Sequence, residues 1–191
     1  MMDYWFKQTA DKPLYDDILW SRPESRAHAG KLLIIGGNLH GFSALGEAYK
    51  SAQEAGAGVT RILLPDALRK TVGHMLENTE FAPSTPRSGS FARDALHEFL
   101  IGSQWADCVL VVGDLGRNSE TSILLESYVQ KYTGLLTLTK DAVDYFNDQP
   151  ELIANRADTI IVLSMAQLQS LGTALKFQTP FLLGMGMMLL V

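Results

Sequence analysis

Short continuous apolar runs alternate along this chain with longer stretches in which apolar residues recur every three or four positions. Residues 32–35 form an unbroken run, and residues 59–64, 107–112, 135–139 and 159–163, interrupted by few polar residues, read as further strands. Runs of that length without alternation are the signature of strands covered on both faces. Between them the spacing changes to that of helices. One is expected to start at Ser43 or a neighbour and to close on the cluster Ala55-Gly56-Ala57-Gly58. Pro65-Asp66 opens a second over residues 67–76. Residues 82–89 read as a loop, after which Ser90 is placed to cap a helix over 91–102, with Phe91, Ala95, Leu96 and Phe99 at helical spacing. Asn118 or Ser119 caps the next, with Glu120 in its first turn and Ile123, Leu124 and Tyr128 on its apolar side. A further helix is expected near 142–146. Strand and helix in alternation at this spacing predict an α/β fold: a mostly parallel central sheet, helices on both faces and right-handed crossovers.

Composition leaves one domain. The 191 residues are 47% hydrophobic, and no shift in composition divides them. Residues 1–27 read as an aromatic arm carrying Tyr4, Trp5, Phe6, Tyr15 and Trp20, expected to pack on the body or on another subunit, which makes a homo-oligomer an expectation; residues 28–191 form the α/β domain. The net charge is −5 and the Lys and Arg residues are scattered, which argues against nucleic acid as a partner. The amino-terminal segment is too polar for a secretory signal, and no run approaches the roughly 20 apolar residues of a membrane helix, so the cytoplasm is the default location. Cys108 is alone, which excludes a disulfide framework and a multi-cysteine zinc site, and it reads as inert core.

Candidate chemistry concentrates where the strands end. Gly36 and Gly37 follow the first strand, and beyond them the unpaired N–H groups and positive dipole end of the helix near Ser43 would face an anion. The bland alternative is a glycine turn that serves only close strand–helix packing. In parallel sheets ligands bind outside the carboxyl ends of the strands, and those ends carry the Gly36 turn, the Gly113 turn and the segment 139–141, so three blocks point at one rim. Asp141 reads as a helix cap, as a hydrogen-bond partner of a substrate hydroxyl or as a group orienting a magnesium-bound water. His40 reads as a solvated loop histidine, and His74 and His97 have no second ligand at i+4, so no metal site is assigned. No Ser or Cys stands at the tip of the turn after Gly113 to act as a nucleophile. Gly36-x-Asn38-x-x-Gly41, with Asp66 after the second strand, has the spacing of a dinucleotide fingerprint, but Asn38 replaces the glycine that lets a pyrophosphate approach.

These blocks resemble the NAD(P)H-hydrate dehydratase family, whose members share the ribokinase-like fold. His28 and Gly30 stand for its His-x-Gly, Gly36-Gly37-Asn38 for its Gly-Gly-Ser, Ser43-Ala44 for its Gly-Ala pair and 55–58 for its closing Ala-Gly-Ala-Gly, with no gap between the first glycine pair and the last. Residues 109–121 resemble its Gly-Pro-Gly-Leu-Gly turn with one residue missing and Asp114 in place of a glycine. Residues 138–146 resemble its Asp-Ala-Asp-Ala-Leu segment, keeping Asp141 but with Thr139 where the first aspartate belongs. The resemblance implies that Gly36, Gly37, Asn38, Ala44, Gly113, Gly116 and Asp141 form a substrate site for hydrated NADH or NADPH. Ala44, together with Gly113 or Gly116, takes the matched contact positions. It also implies ADP or ATP with Mg2+ as cofactors, and dehydration by phosphorylation of the substrate hydroxyl followed by elimination of phosphate.

Two departures qualify what is expected. The family's Thr-Pro-His-x-Gly-Glu is replaced by Ser164-Met165-Ala166-Gln167, two residues shorter and without a titratable group. The family's adenine-nucleotide contacts and catalytic aspartate come after the point at which this sequence stops, and its last residues are apolar. The chain is therefore expected to lack about a third of the domain and, as given, to be inactive. A vitamin or sugar kinase of the same superfamily and a catalytically inactive nucleotide-binding homologue are the alternative readings.

Overall fold

Six parallel strands in the order β3-β2-β1-β4-β5-β6 form the centre of the molecule. The computed structural model describes residues 23–72 and 78–178, together with Thr9, Asp11, Leu14, Tyr15, Trp20, Ser21 and Phe181. In chain order the elements are β1 (Lys31–Gly36), α1 (Ser43–Glu54), β2 (Val59–Pro65), a 3-10 turn at Asp66–Leu68 running into α2 (Arg69–Val72), and β3 (Thr79–Ala82). A second 3-10 turn at Arg93–Ala95 leads into α3 (Leu96–Trp105), followed by β4 (Cys108–Gly113), α4 (Ser119–Lys131) and β5 (Leu135–Thr139). Then come α5 (Asp141–Asp144), α6 (Glu151–Ala154), β6 (Thr159–Val162) and α7 (Met165–Ala174).

The five apolar runs all became strands, and those of β1, β2, β4 and β5 are buried between two layers. On one face Leu33, Ile35, Val109, Val111, Leu136 and Leu138 pack under Phe91, Phe99, Leu124 and Tyr128 from α3, α4 and the segment before them. On the other, Ile34, Ile62 and Leu64 meet Ala44, Leu45, Leu68 and Val72 of α1, α2 and the turn leading into α2. Beyond that second cluster, Ile160 and Val162 on the edge strand β6 are 51% and 53% exposed. Chain direction reverses its walk across the sheet at β1: β2 and β3 lie to one side, and β4 returns to pair on the other, Ile34 standing opposite both Ile62 and Leu110. That is a topological switch point, the place where open α/β sheets leave a crevice.

Several boundaries differ from the reading of the sequence. β3 went unassigned because its four residues TEFA carry no apolar run and only Ala82 is buried. The helix expected over 67–76 is present as Asp66–Leu68 and Arg69–Val72, and its remainder, with His74, lies outside the described residues. Ser90 caps no helix; Phe91 forms an isolated bridge with Ser84, and the α-helix begins only at Leu96. Helical spacing of Phe91 reflected burial in the core rather than helical backbone. Asn118 caps α4 as expected, its Oδ1 accepting from Glu120 N–H at 2.8 Å. The helix near 142–146 is shorter, Asp141–Asp144, while α6 and α7 were not foreseen. Of the arm, Tyr15 and Trp20 are 65% and 91% exposed and so do not pack on the body; Tyr4, Trp5 and Phe6 lie outside the described residues. Cys108 is partly rather than fully buried, and burial still pushes its thiol above the usual range, which keeps it protonated. Among the described residues no helix is long and apolar enough to cross a membrane.

An aromatic ladder joins α3 to α4. Phe91 meets Phe99 edge-on at 4.9 Å, Phe99 meets Tyr128 at 5.3 Å, and Tyr128 stacks on Tyr132 at 5.4 Å. The buried Tyr128 hydroxyl is satisfied by Ser103 Oγ at 2.6 Å, and Ser103 in turn donates to the Phe99 carbonyl. Phe99→Ala removes the middle ring and is expected to cost about 3–5 kcal/mol, read as a lowered midpoint of urea unfolding. A loss under about 1 kcal/mol would show that α3 does not depend on this ladder.

Candidate functional site

The crevice at the switch point is made by a close approach of β1 and β4. Register slips where β1 ends, so that Ile35 stands opposite Val111 but Gly36 opposite Gly113. A Cβ on Gly36 would lie 2.7 Å from Val112 Cγ2 and 2.8 Å from the Gly113 carbonyl, so any side chain there would push the strands apart. Gly37 N–H then donates to the Gly113 carbonyl at 3.1 Å, extending the pairing into the turn. Asn38 and Gly41 close that turn with reciprocal backbone bonds of 2.8 and 3.2 Å. The Asn38 side chain, 8% exposed, accepts from His40 N–H at 2.8 Å and donates to the Asp114 carbonyl at 2.6 Å.

Asp141 holds the second wall. One carboxylate oxygen accepts from Asp114 N–H at 2.8 Å and the other from Leu115 N–H at 3.0 Å. Gly113 is at φ +95°, and a Cβ on it would collide with the Asp141 carboxylate and with Lys140 Cβ, so the turn needs glycine for both backbone and space. Gly116 lies on the same turn, its carbonyl accepting from the Tyr145 hydroxyl. Thr139, in the place where the resembled family has an aspartate, donates to the Val112 carbonyl at 3.1 Å and is used internally. Burial lifts the Asp141 carboxyl above its usual value; its two backbone donors oppose that shift, and the neighbouring Asp114 charge adds to it.

A crevice of about 810 Å³ opens over these residues, lined by Asn38, Asp114, Gly116, Asp141 and Tyr145 among others. Its charged lining is Asp114, Asp141, Asp144 and Asp148 against Arg117 alone, so it is acidic and rich in acceptors. Of the seven residues assigned from sequence, Asn38, Gly116 and Asp141 line it directly. Gly36, Gly37 and Gly113 are buried and do not line it. Ala44, at the N-terminus of α1, is buried, and its N–H is taken by Asp114 Oδ2 at 3.0 Å. Sequence reasoning had noted Asp114 only as a departure from glycine and had passed over Asp144 and Tyr145, whose approach depends on how α5 docks. Gln167 clamps that docking, donating to the Lys140 carbonyl at 2.8 Å and to Asp144 at 2.9 Å, while its own helix is closed by a capping box with Ser164.

Asp66 is elsewhere. It lines a separate crevice of about 800 Å³ with His97, and its carboxylate accepts from the Ser84 hydroxyl. The strand order is also that of doubly wound dinucleotide sheets, but here residues 37–42 separate the end of β1 from α1, and Asp66 does not reach the first crevice. Exposed His40 lies at the rim turn. Among the described residues no group of three or more His, Cys, Asp or Glu side chains is placed to hold a metal ion.

Neither a protein-family model nor a curated protein matches the chain. Solved structures do. A ribokinase-like superfamily protein of Enterococcus faecalis superposes with a TM-score of 0.62 over 80% of this chain, at 15% identity. The fold is ribokinase-like. A hypothetical protein of Streptococcus mutans is also similar, with a TM-score of 0.55 over 80% of this chain at 21% identity. The chain spans about half the length of these two proteins, 52% and 53%. Within the ribokinase-like sheet, the crevice stands where β1 and β4 diverge, at the carboxyl edge.

Because the folded-state value of Asp141 lies above its unfolded value, the stability linked to its protonation is complete below the ordinary value of 3.8 and is lost as the pH rises through the raised value, while its bonds to the two backbone amides remain. Side-chain NMR titration should find Asp141 above 3.8, and Asp114→Asn should bring it down by removing the neighbouring charge. A value that does not move would mean the two carboxyls do not sense one another. Asp141→Ala leaves the amides of Asp114 and Leu115 without their acceptor and is expected to cost about 1–3 kcal/mol of stability in denaturant unfolding.

Proposed function

We propose that the crevice binds the hydrated nicotinamide and ribose end of NADH or NADPH, and that the protein carrying it is a nucleotide-dependent dehydratase of damaged nicotinamide nucleotides. The observation that carries this reading is the convergence of three separate segments, 36–38, 113–116 and 141, on one acceptor-rich crevice at the switch point. A hydrated nicotinamide nucleotide presents N–H and O–H donors, on its carboxamide, its ring hydroxyl and its ribose, and these suit a lining of carboxylates and an asparagine. The ribokinase-like fold supports phosphoryl transfer only by analogy.

In the proposed reaction the ring hydroxyl takes the terminal phosphoryl group of ADP or ATP, its proton passing to a base. The C–O bond then breaks, phosphate leaves and a proton is lost from the ring, restoring the dihydropyridine. The described residues would serve the first half of that task. They fix the substrate end and keep its orientation through rigid backbone turns, which is the larger share of catalysis in phosphoryl transfer. Both oxygens of Asp141 already accept backbone N–H groups, so the residues present do not build a magnesium site, and the proposal assigns magnesium to the phosphates of the nucleotide.

A kinase for another hydroxyl compound is favoured by one observation. The segment Ser164–Gln167, where the resembled family places a substrate-holding histidine, is committed to the capping box and to clamping α5. The two readings separate in one assay. Incubation of hydrated NADH with the full-length gene product, magnesium and ADP or ATP is expected to restore the dihydropyridine absorbance. Nucleotide turnover stimulated by a different alcohol, with hydrated NADH untouched, would replace the dehydratase with the kinase.

A further inference from the structure

We propose that Asp114 is the specificity-determining group of this crevice. Its carboxylate occupies the position at the N-terminus of α1 that an anionic group of a ligand would take, so a phosphate is turned away from this helix end and the crevice beside it receives a neutral, hydroxyl- or amide-bearing group. The inference rests on the reading of the crevice as the ligand site and names the class of group it receives.

A twelve-residue helix leaves unpaired N–H groups and a positive dipole end at its start, and chains ordinarily answer these with a local Ser, Thr, Asp or Asn cap or with an acidic residue in the first turn. α1 has neither. Phe42 stands at its N-cap position without a side-chain bond, and the first turn carries no acidic residue. The negative charge comes instead from Asp114, 70 residues away in sequence, whose Oδ2 lies 3.0 Å from Ala44 N. An oxygen of a phosphate bound to the same amide would have to occupy the space this carboxylate oxygen already fills.

The backbone that presents the Asp114 carboxylate is held on both sides. Its N–H is held by Asp141 at 2.8 Å and its carbonyl by the Asn38 side chain at 2.6 Å. Its backbone is in the left-handed region at φ +55°, where a glycine would be the unstrained residue. The wall residues reinforce the effect, since Asp141, Asp144 and Asp148 outnumber Arg117 around the opening. A phosphate entering here would meet an occupied amide and a negative field together.

The test is a titration of inorganic phosphate into the wild-type chain, Asp114→Gly and Asp114→Asn, followed by the backbone amide resonance of Ala44. Wild type is expected to show no saturable shift at millimolar phosphate. Asp114→Gly, which empties the position and suits the backbone conformation, should bind phosphate roughly tenfold or more tightly, with the shift centred on Ala44. Asp114→Asn keeps an oxygen against Ala44 N–H but removes the charge, and should gain less; it also secures the test should the glycine variant not fold. A saturable Ala44 shift in the wild type, or equal phosphate binding in wild type and variants, would overturn the proposal. Failure of hydrated NADH to be repaired would sink the dehydratase reading and leave this titration unchanged.

Discussion

The contact between the ends of β1 and β4 is the constraint on which the site depends. Two backbones come together at Gly36 and Gly113 closely enough that a single methyl group would meet a carbonyl and a valine side chain on one side and a carboxylate on the other. Once they are that close, the chain beyond each strand has to turn away sharply. Asn38 and Asp141 are the side chains that satisfy the backbone groups released by those turns. The crevice is thus a by-product of the sheet's change of direction, with walls held by these hydrogen bonds and by the burial of Leu115, Ala142 and Val143 in the core.

Below this rim the two cores differ in character. The layer under α3 and α4 is large and aromatic, and a buried hydroxyl pair in it, Ser103 and Tyr128, is satisfied internally, with burial holding the tyrosine well above its usual range of ionisation. The layer under α1 is smaller, built from Ile34, Ile62 and Leu64 against Ala44, Leu45, Leu68 and Val72. α1 therefore gains from an electrostatic tie at its start, and Asp114 is the group that reaches it. The same carboxylate raises the cost of ionising Asp141 beside it, so the helix, the turn and the acid are one coupled unit.

This coupling shifts how the glycine motifs are understood. In the chain read alone, Gly36, Gly37 and the start of the helix at Ser43 describe a place for an external anion. In the folded chain the helix start at Ala44 is answered from within, and Asp114, Asp141, Asp144 and Asp148 line the crevice as acceptors. The solved ribokinase-like neighbours establish the architecture, and at 15% and 21% identity the chemistry rests on these side chains.

The sequence by itself determined the α/β class, the five apolar strands, a helix cap at Asn118 or Ser119 and the rim on which the motifs gather. Apolar runs and caps are local signals, set by burial of adjacent residues and by hydrogen bonds within one turn. It could not show β3, whose four residues become a strand only because β2 offers them an edge, nor that Phe91 belongs to the core without belonging to a helix. Only the tertiary structure brought Asp114 to Ala44 and Asp141 to the amides of 114 and 115. Those bonds join residues 26 to 70 positions apart, through the crossovers from β1 to β4 and from β4 to β5, and no spacing along the chain encodes them.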